Sequence, residues 1–371
     1  MKMQQTTCIY CGESKNFCEA HIVPETLGKF KNLPKQKNII CSKCDHEIGK
    51  AEEQLAKCGL EAIFKATLNI KGKKKHKSSS PFRRGHAGHN PIELKASLPG
   101  RDYKVLAEPL GDGLNVHPLP QLVLLNSKGD YRNILLANPK TTTVEYLKTA
   151  IGKASLKGDL RVETVGLTYE EIDYIFGLLK QMGIFINEES LPASEAFPGE
   201  QFYPNVCVQG TIAVDARYFR AIAKIGFHYF LQYSEYFTGH EDCFRPVKQF
   251  IRYDEGTIEQ FVVQQRGNLV SDFNYGFRPK YYGNLIIGDF CNNAATAYVQ
   301  LFLGKDHNPP YYKITLATNC LRIKLGKAAF GHFFSYYTPE NRTQYTGEIQ
   351  PLGIANRICM PKNFRVDYLN R

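Results

Sequence analysis

Two C-x2-C motifs close to the start constrain the fold of this 371-residue chain more than any other feature. The first is CIYC, beginning at Cys8 and ending at Cys11, and the second is CSKC, from Cys41 to Cys44. Two such pairs supply the four sulfur ligands of a tetrahedral structural zinc site. The alternative is a redox dithiol or a set of unrelated buried thiols. We predict that zinc clips the first fifty residues together.

The segment between the two motifs and the segment after them predict a small mixed unit. Residues 17–24 read FCEAHIVP, a short and largely apolar run that proline ends, so we expect a strand that carries His21 near its end. Asn38 and two isoleucines then lead into the second motif. From Asp45 onward apolar residues recur at roughly helical intervals, and Asp45 is available as the N-cap. The predicted order is strand, loop, strand and helix.

Residues 8–60 resemble the HNH endonuclease family, in its zinc-clipped branch of the ββα-metal nucleases. The matching segments are CIYC, AHIVPETLG and NIICSKCDHEIGK, and residues 8–60 make up about a seventh of the chain. The resemblance implies metal-dependent hydrolysis of phosphodiester bonds, with His21 as the general base. It also implies that Asn38 fixes the loop that orients the base, and that a residue at the start of the helix holds a divalent ion.

General chemistry agrees with those implied roles. Phosphodiester hydrolysis needs a base that takes a proton from water and a cation that neutralises charge on the phosphoryl oxygens. Histidine suits the first role because its ordinary pKa lies near neutral pH. Magnesium or manganese suits the second, with oxygen and imidazole ligands. The competing interpretation of His21 is a residue bonded to backbone in a zinc ribbon that only binds.

The sequence departs from the family pattern at two positions near the expected ion. Many family members carry an acidic residue directly before the histidine, whereas this chain has Ala20 there and Glu19 one step earlier. Alternate residues of a strand share a face, so Glu19 is expected on the side of His21. Asp45 stands where the family usually has histidine or asparagine, and His46 follows it. Helix neighbours point about 100° apart, so we expect only one of these two to bind the ion, and Glu19 stays a candidate.

The positive charge of the chain is concentrated near its start. The formal net charge is +11, and residues 1–90 hold 17 Lys and Arg against 8 Asp and Glu, while the remaining residues hold 30 against 28. A cation-rich segment on a nearly neutral remainder is typical of a unit that meets a polyanion by neutralising its phosphates. The alternative is a solubilising basic segment. Double-stranded DNA is the expected partner.

A basic, glycine- and serine-rich stretch follows the predicted helix over residues 71–90. Such a composition cannot bury a core, so we expect an exposed linker. Its cations are candidates for tracking the nucleic-acid backbone, although a plain solvated linker is the alternative. These candidates are Lys73, Lys74, Lys75, Lys77, Arg83 and Arg84.

Residues 91–371 carry fewer diagnostic patterns. Apolar periodicity predicts one helix from Tyr169 to Met182 and another from about Asp215 to Tyr233. In the second helix Arg217, Arg220 and Lys224 share a face, which favours either an ordinary solvent face or a helix laid against DNA phosphates. Aromatic and β-branched runs between residues 261 and 337 predict an antiparallel sheet.

These observations predict an α+β protein with three parts. Residues 1–70 form the ββα-metal module, residues 71–90 the basic linker, and residues 91–371 a mixed domain, divisible into two subdomains, that selects or positions the substrate.

The expected function is a metal-dependent DNA endonuclease of restriction or phage defence. The alternative is a non-catalytic zinc module that binds nucleic acid or a protein. A cytoplasmic location without membrane contact is expected, because no apolar stretch approaches ~18 residues. Nothing in the sequence predicts an oligomeric state.

Overall fold

A computed structural model of the chain describes most of its residues. The described ranges are 7–30, 33–68, 70, 81–82, 92–98, 101–110, 113–154, 160–184, 207–212, 214–267, 269, 279, 281–305, 308–320, 328–336 and 346–352. They fall into two compact units, of which the first joins Met1–Ser79 to Val214–Arg371 and the second is Ser80–Ala213. The first unit is therefore built from both ends of the chain.

Helices and strands are mixed along the chain, with two long runs of strands, β4 to β8 (residues 93–135) and β12 to β16 (residues 283–352). The earlier ones are β1 (Ala20–His21), β2 (Lys29–Phe30), β3 (Lys35–Gln36), α1 (Ser42–Lys57), α2 (Leu60–Thr67), β4 (Glu93–Leu98), β5 (Arg101–Leu110), β6 (Gly113–Pro118), β7 (Gln121–Asn126), β8 (Tyr131–Leu135), α3 (Val144–Ala154), β9 (Leu160–Val165) and α4 (Tyr169–Gln181). The later ones are β10 (Cys207–Thr211), α5 (Ala216–Tyr233), α6 (Arg245–Tyr253), α7 (Ile258–Phe261), β11 (Val262–Gln265), β12 (Gly283–Cys291), β13 (Ala294–Leu303), β14 (Tyr311–Ala317), β15 (Ala328–Ser335) and β16 (Thr346–Leu352).

A seven-stranded sheet forms the frame of the first unit. Its strand order is β11-β14-β13-β12-β15-β16-β2. All neighbours are antiparallel except the last pair, in which β16 runs parallel to β2. A separate two-stranded antiparallel ribbon pairs β1 with β3, so that His21 lies opposite Lys35.

Helix α5 lies at the centre of this unit, between the sheet and α1. Every residue from 221 to 231 is buried, which follows from a run that is apolar apart from Lys224 and His228. Gly226 permits the close approach of the helix to the sheet, because an added Cβ there would lie 2.6 Å from Cδ1 of Ile314 and 3.0 Å from Cβ of Ala297. The main core of the unit gathers around this helix.

The second unit contains two smaller antiparallel sheets, with strand orders β10-β4-β5-β6 and β8-β7-β9. Helices α3 and α4 pack together, and their apolar side chains share a core with β7 and β9. Helix α4 begins with a capping box, in which Thr168 and Glu171 each bond to the other's backbone N–H.

The mixed α+β class and the antiparallel sheet that the sequence predicts are confirmed. The two helices predicted in the later part of the chain correspond to α4 and α5. The structure divides the chain differently from the predicted boundaries at residues 70 and 90, since the start of the chain shares a compact unit with residues beyond 213. Among the described residues, no helix combines the length and the apolar character that crossing a lipid bilayer needs.

Two local predictions are wrong. Helix α1 begins at Ser42 with Cys41 as its N-cap, so Asp45 lies inside the first turn and is not the cap. The second concerns the basic face of α5, which is not a shared solvent face: Arg217 is exposed, but Lys224 is buried and Arg220 has a side chain only 12% exposed. Arg220 donates to the backbone oxygens of Ile251 and Arg252, which anchors α6.

Candidate metal centre and the environment of His21

The four cysteines of the two C-x2-C motifs converge on one point. The sulfur atoms of Cys8, Cys11, Cys41 and Cys44 all lie within 4.8 Å of one another, and three of these residues are buried. Four sulfurs around a zinc ion at ~2.3 Å would be separated by roughly 3.8 Å, which this cluster can reach with small side-chain movements. The cluster can therefore hold a structural metal such as zinc.

Backbone hydrogen bonds between the two motifs build this cluster. Ile9 donates to the oxygen of Ile39 at 2.9 Å, and Cys18 donates to the oxygen of Ile40 at 3.1 Å. Cys41 both forms a β-bridge with Phe17 and caps α1, so the second motif passes directly from the bridge into the helix. The metal site thus links the start of the chain to the N-terminus of α1.

Hydrogen bonding and burial shift the pKa values of the clustered cysteines in opposite directions: the pKa of Cys8 is lowered, whereas those of Cys11 and Cys44 are raised. A hydrogen bond from the Cys44 thiol lowers the pKa of Cys8 to about 4, although burial opposes this. The same contact raises the pKa of Cys44. Thiolate is the metal-binding form of cysteine, so the lowered pKa of Cys8 favours metal binding at that sulfur. Nε of Arg252 on α6 lies 3.4 Å from Sγ of Cys44 and brings a positive charge to the cluster.

His21 ends strand β1 at a partly exposed position. Its Nε2 lies 3.4 Å from Oε1 of Glu25, and each of the two side chains is 26% exposed. Glu25 lies in the single 3₁₀ turn that follows Pro24, which brings it back toward the strand. The imidazole therefore combines access to solvent with a carboxylate neighbour.

Burial lowers the pKa of His21. The ammonium groups of Lys224 and Lys35 also lower it, whereas the carboxylates of Glu25 and Glu52 raise it. The net effect is a neutral imidazole near pH 7, which is the form that can accept a proton.

Lys224 supports the backbone of His21 from helix α5. Its Nζ donates to the carbonyl oxygen of His21 and lies 2.5 Å from Oε1 of Glu52 on α1. Its side chain is only 2% exposed. This buried ammonium therefore ties together the strand that carries the histidine and helix α1, which begins within the second motif.

The other predicted site residues lie directly before β1, in the loop before the second motif, and in the first part of α1. Asn38 is exposed with φ of 58°, a left-handed conformation that asparagine tolerates. Asp45 is close enough to Cys18 to help burial raise the pKa of that thiol to about 11. His46 is exposed on α1. Glu19 is exposed and binds two lysines, with Oε2 3.0 Å from Nζ of Lys35 and Oε1 3.3 Å from Nζ of Lys37.

The structure does not gather the residues predicted for a catalytic ion. Among the described ranges, the four cysteines are the one group of three or more His, Cys, Asp or Glu side chains placed to hold a metal. Glu19, Asp45 and His46 therefore do not form a ligand set with His21. The predicted nucleic-acid contacts at Lys73, Lys74, Lys75, Lys77, Arg83 and Arg84 fall outside the described residues.

Sequence reasoning missed the residues that surround His21 and the cluster from other elements, namely Glu52, Lys224 and Arg252. A usable signal existed for Lys224, because it and His228 are the two polar residues in the apolar run from 221 to 231. Lysine is almost never fully buried unless it is paired, so a lysine in a run that is buried on every side must have a partner. No local pattern indicates that its partner would be His21.

Comparisons of this chain with protein-family models, with curated proteins and with solved structures find no match.

Proposed function

We propose that the protein is a metal-dependent DNA endonuclease of the HNH type, in which His21 activates the attacking water. The observation that carries the proposal is the state of His21 itself. Its imidazole is partly exposed, has its pKa lowered, and lies 3.4 Å from the Glu25 carboxylate at the end of strand β1. A general base for water needs this combination of access, neutrality and a group that stabilises its protonated form.

The roles of the residues follow from that geometry. Neutral His21 accepts a proton from the water that attacks phosphorus, and Glu25 stabilises the imidazolium that results. The four-cysteine cluster holds the start of the chain against α1 and so gives the strand a fixed support. The excess of lysine and arginine in residues 1–90 attracts the DNA backbone.

A magnesium or manganese ion is the expected source of positive charge at the scissile phosphate. Magnesium is commonly held by one or two carboxylates together with substrate phosphates and water, so a complete protein ligand set is not required before DNA binds. The carboxylates that act on His21 are those of Glu25 and Glu52. We assign no ligand, because the described residues do not assemble a set beside His21.

One observation favours a second candidate function, a zinc module that binds nucleic acid without cleaving it. Glu19 is committed to Lys35 and Lys37, and Asp45 faces the thiol of Cys18, so neither is free beside His21. In that case His21 has a structural role only, and the cluster and the basic segment carry the whole function.

Nicking of supercoiled plasmid in the presence of magnesium or manganese distinguishes these functions. We expect the wild-type chain to cleave, and the H21A variant to lose cleavage while retaining DNA binding. His117→Ala is the matched control, since His117 is an exposed histidine on β6 in the second unit, outside the HNH-like segment, and its loss should leave cleavage unchanged. DNA binding by the wild type without metal-dependent cleavage of linear, supercoiled or single-stranded DNA would support the binding module instead.

A further inference from the structure

A lysine sits where an apolar residue would ordinarily be found. Lys224 lies in the eleven-residue buried run of α5, and the residue as a whole is 1% exposed. Burying an ammonium carries a large desolvation cost, and apolar replacements of buried ion pairs are often tolerated or stabilising. Stability of α5 alone therefore does not explain a lysine at this position.

Both partners of this ammonium belong to the segment that contains the proposed base. Nζ donates to the carbonyl oxygen of His21 and forms an ion pair of 2.5 Å with Glu52. Strand β1 is only two residues long, and its pairing with β3 covers just Ala20 and His21. Such a short ribbon alone holds the His21 backbone weakly, and the hydrogen bond from Lys224 adds a further tether.

The next turn of α5 makes matching contacts to the same segment. His228 is four residues after Lys224, so the two share a helix face. Its carbonyl oxygen accepts a hydrogen bond of 2.7 Å from Nε2 of Gln36, which lies on β3. Its Nε2 lies 2.9 Å from the hydroxyl of Tyr10, inside the first C-x2-C motif. One face of α5 thus holds β1, β3, α1 and the first motif together.

We propose that Lys224 is a positioning residue for His21. From helix α5 it fixes the backbone position of His21, and this position determines how the imidazole reaches the substrate. The inference rests on the proposed function insofar as His21 is the base. It adds that residues 1–70 do not make the site alone, because the tether comes from α5. A displacement of about 1 Å in a reacting group lowers rates by as much as ~100-fold, so a lost tether affects the chemical step more than DNA binding.

The test uses the full chain and the variants K224M and K224R. Lys65→Met is the matched control, since Lys65 is another buried lysine of the same unit, on α2, at 7% exposure. Three quantities are measured for each variant: the NMR signal of the His21 ring, assigned with H21A, the single-turnover cleavage rate, and DNA affinity. Zinc content and the thermal midpoint report whether the fold is retained.

We expect K224M to shift or broaden the His21 ring signal and to lower the single-turnover rate at least about tenfold, with DNA affinity within about twofold of wild type. K224R keeps a hydrogen-bond donor and a positive charge, so it should recover part of the wild-type ring signal and part of the wild-type cleavage rate. K65M should match the wild type in all three quantities. If K224M does not fold, the double variant K224M/E52Q removes the unpaired carboxylate and takes its place.

The inference is overturned if the His21 signal and the cleavage rate of K224M equal those of K65M. It is also overturned if the fractional loss of cleavage rate in K224M equals its unfolded fraction and K224R restores neither the rate nor the His21 signal. Failure of the proposed function gives a different result, because the wild type then cleaves no DNA at all. In that case the His21 ring signal decides alone, and an unchanged signal in K224M excludes a positioning role.

Discussion

The hydroxyl oxygens of Tyr218 and Tyr312 lie 2.6 Å apart, and both hydroxyls bond to the carboxyl group of Glu61. The three side chains come from α5, β14 and α2, and all three residues are buried. This network joins the segment after the metal cluster to the central helix and the sheet. Because burial raises the pKa of Glu61, the network is also sensitive to pH.

Glu61 should make the folded state less stable as pH rises. A carboxyl group with a raised pKa in the folded state binds its proton more tightly there than in the unfolded chain, whose glutamate pKa is about 4.3. Its stabilising contribution is complete below that value and is lost as pH rises through the folded-state pKa. The E61Q variant stays neutral and should gain stability relative to wild type across this range, as urea unfolding from pH 4 to pH 8 would reveal. Parallel pH profiles of the two proteins would contradict this role.

Gly59, between α1 and α2, should not tolerate a side chain. Its φ is +98°, and an added Cβ would lie 2.5 Å from Cε2 of Tyr218. Strain of this kind costs about 1–3 kcal/mol before any steric overlap is added, so G59A should lower the free energy of unfolding by at least that amount. Gly49→Ala is the control, because Gly49 lies within α1 with open space around it and should gain about 0.5–1 kcal/mol. Equal effects of the two substitutions in thermal unfolding would show that the Gly59 backbone is not constrained.

Much of the local structure could be predicted from the sequence, because local patterns determine it. Helix α5 spans the predicted range, since an aspartate N-cap precedes a periodic apolar run. The four-cysteine cluster was predicted because the ligand types and their spacing are themselves the signal. Periodicity, however, states which residues share a face and not what covers that face. For this reason Lys224 was expected in solvent or against DNA, and it lies buried beside His21 and Glu52.

Long-range pairing was not accessible to sequence reasoning. Strand β2, with two residues, pairs in parallel with β16 near the far end of the chain. Neither segment has a sequence pattern that indicates its partner. The environment of Glu19 is a related case, because its charge partners come from the neighbouring strand and loop. Lys35 and Lys37 neutralise that carboxylate. Strand periodicity shows which face Glu19 occupies but does not indicate these two partners.

Each of the four clustered cysteines should be required for metal binding. The purified chain is expected to hold one zinc ion, and C44S should lose it and unfold at a lower denaturant concentration, since structural zinc contributes folding energy directly. Cys291→Ser is the control, because Cys291 lies on β12 outside the cluster. Elemental analysis and denaturation measure both effects. A wild-type protein that is folded and free of metal would contradict a structural zinc site.

Arg252 should slow the loss of that metal. Four thiolates around Zn²⁺ leave a formal charge of −2, and Nε of Arg252 lies 3.4 Å from Sγ of Cys44, where it offsets part of this charge and donates a hydrogen bond to the sulfur. Removing such an outer partner typically lowers metal affinity by about 10–100-fold, so R252M should release zinc to a chromogenic chelator correspondingly faster. Arg245→Met removes an exposed charge from the same helix and serves as the control. If R252M and R245M release zinc at the same rate, the charge near the cluster acts only through the general field of α6 and the contact with Cys44 has no separate effect.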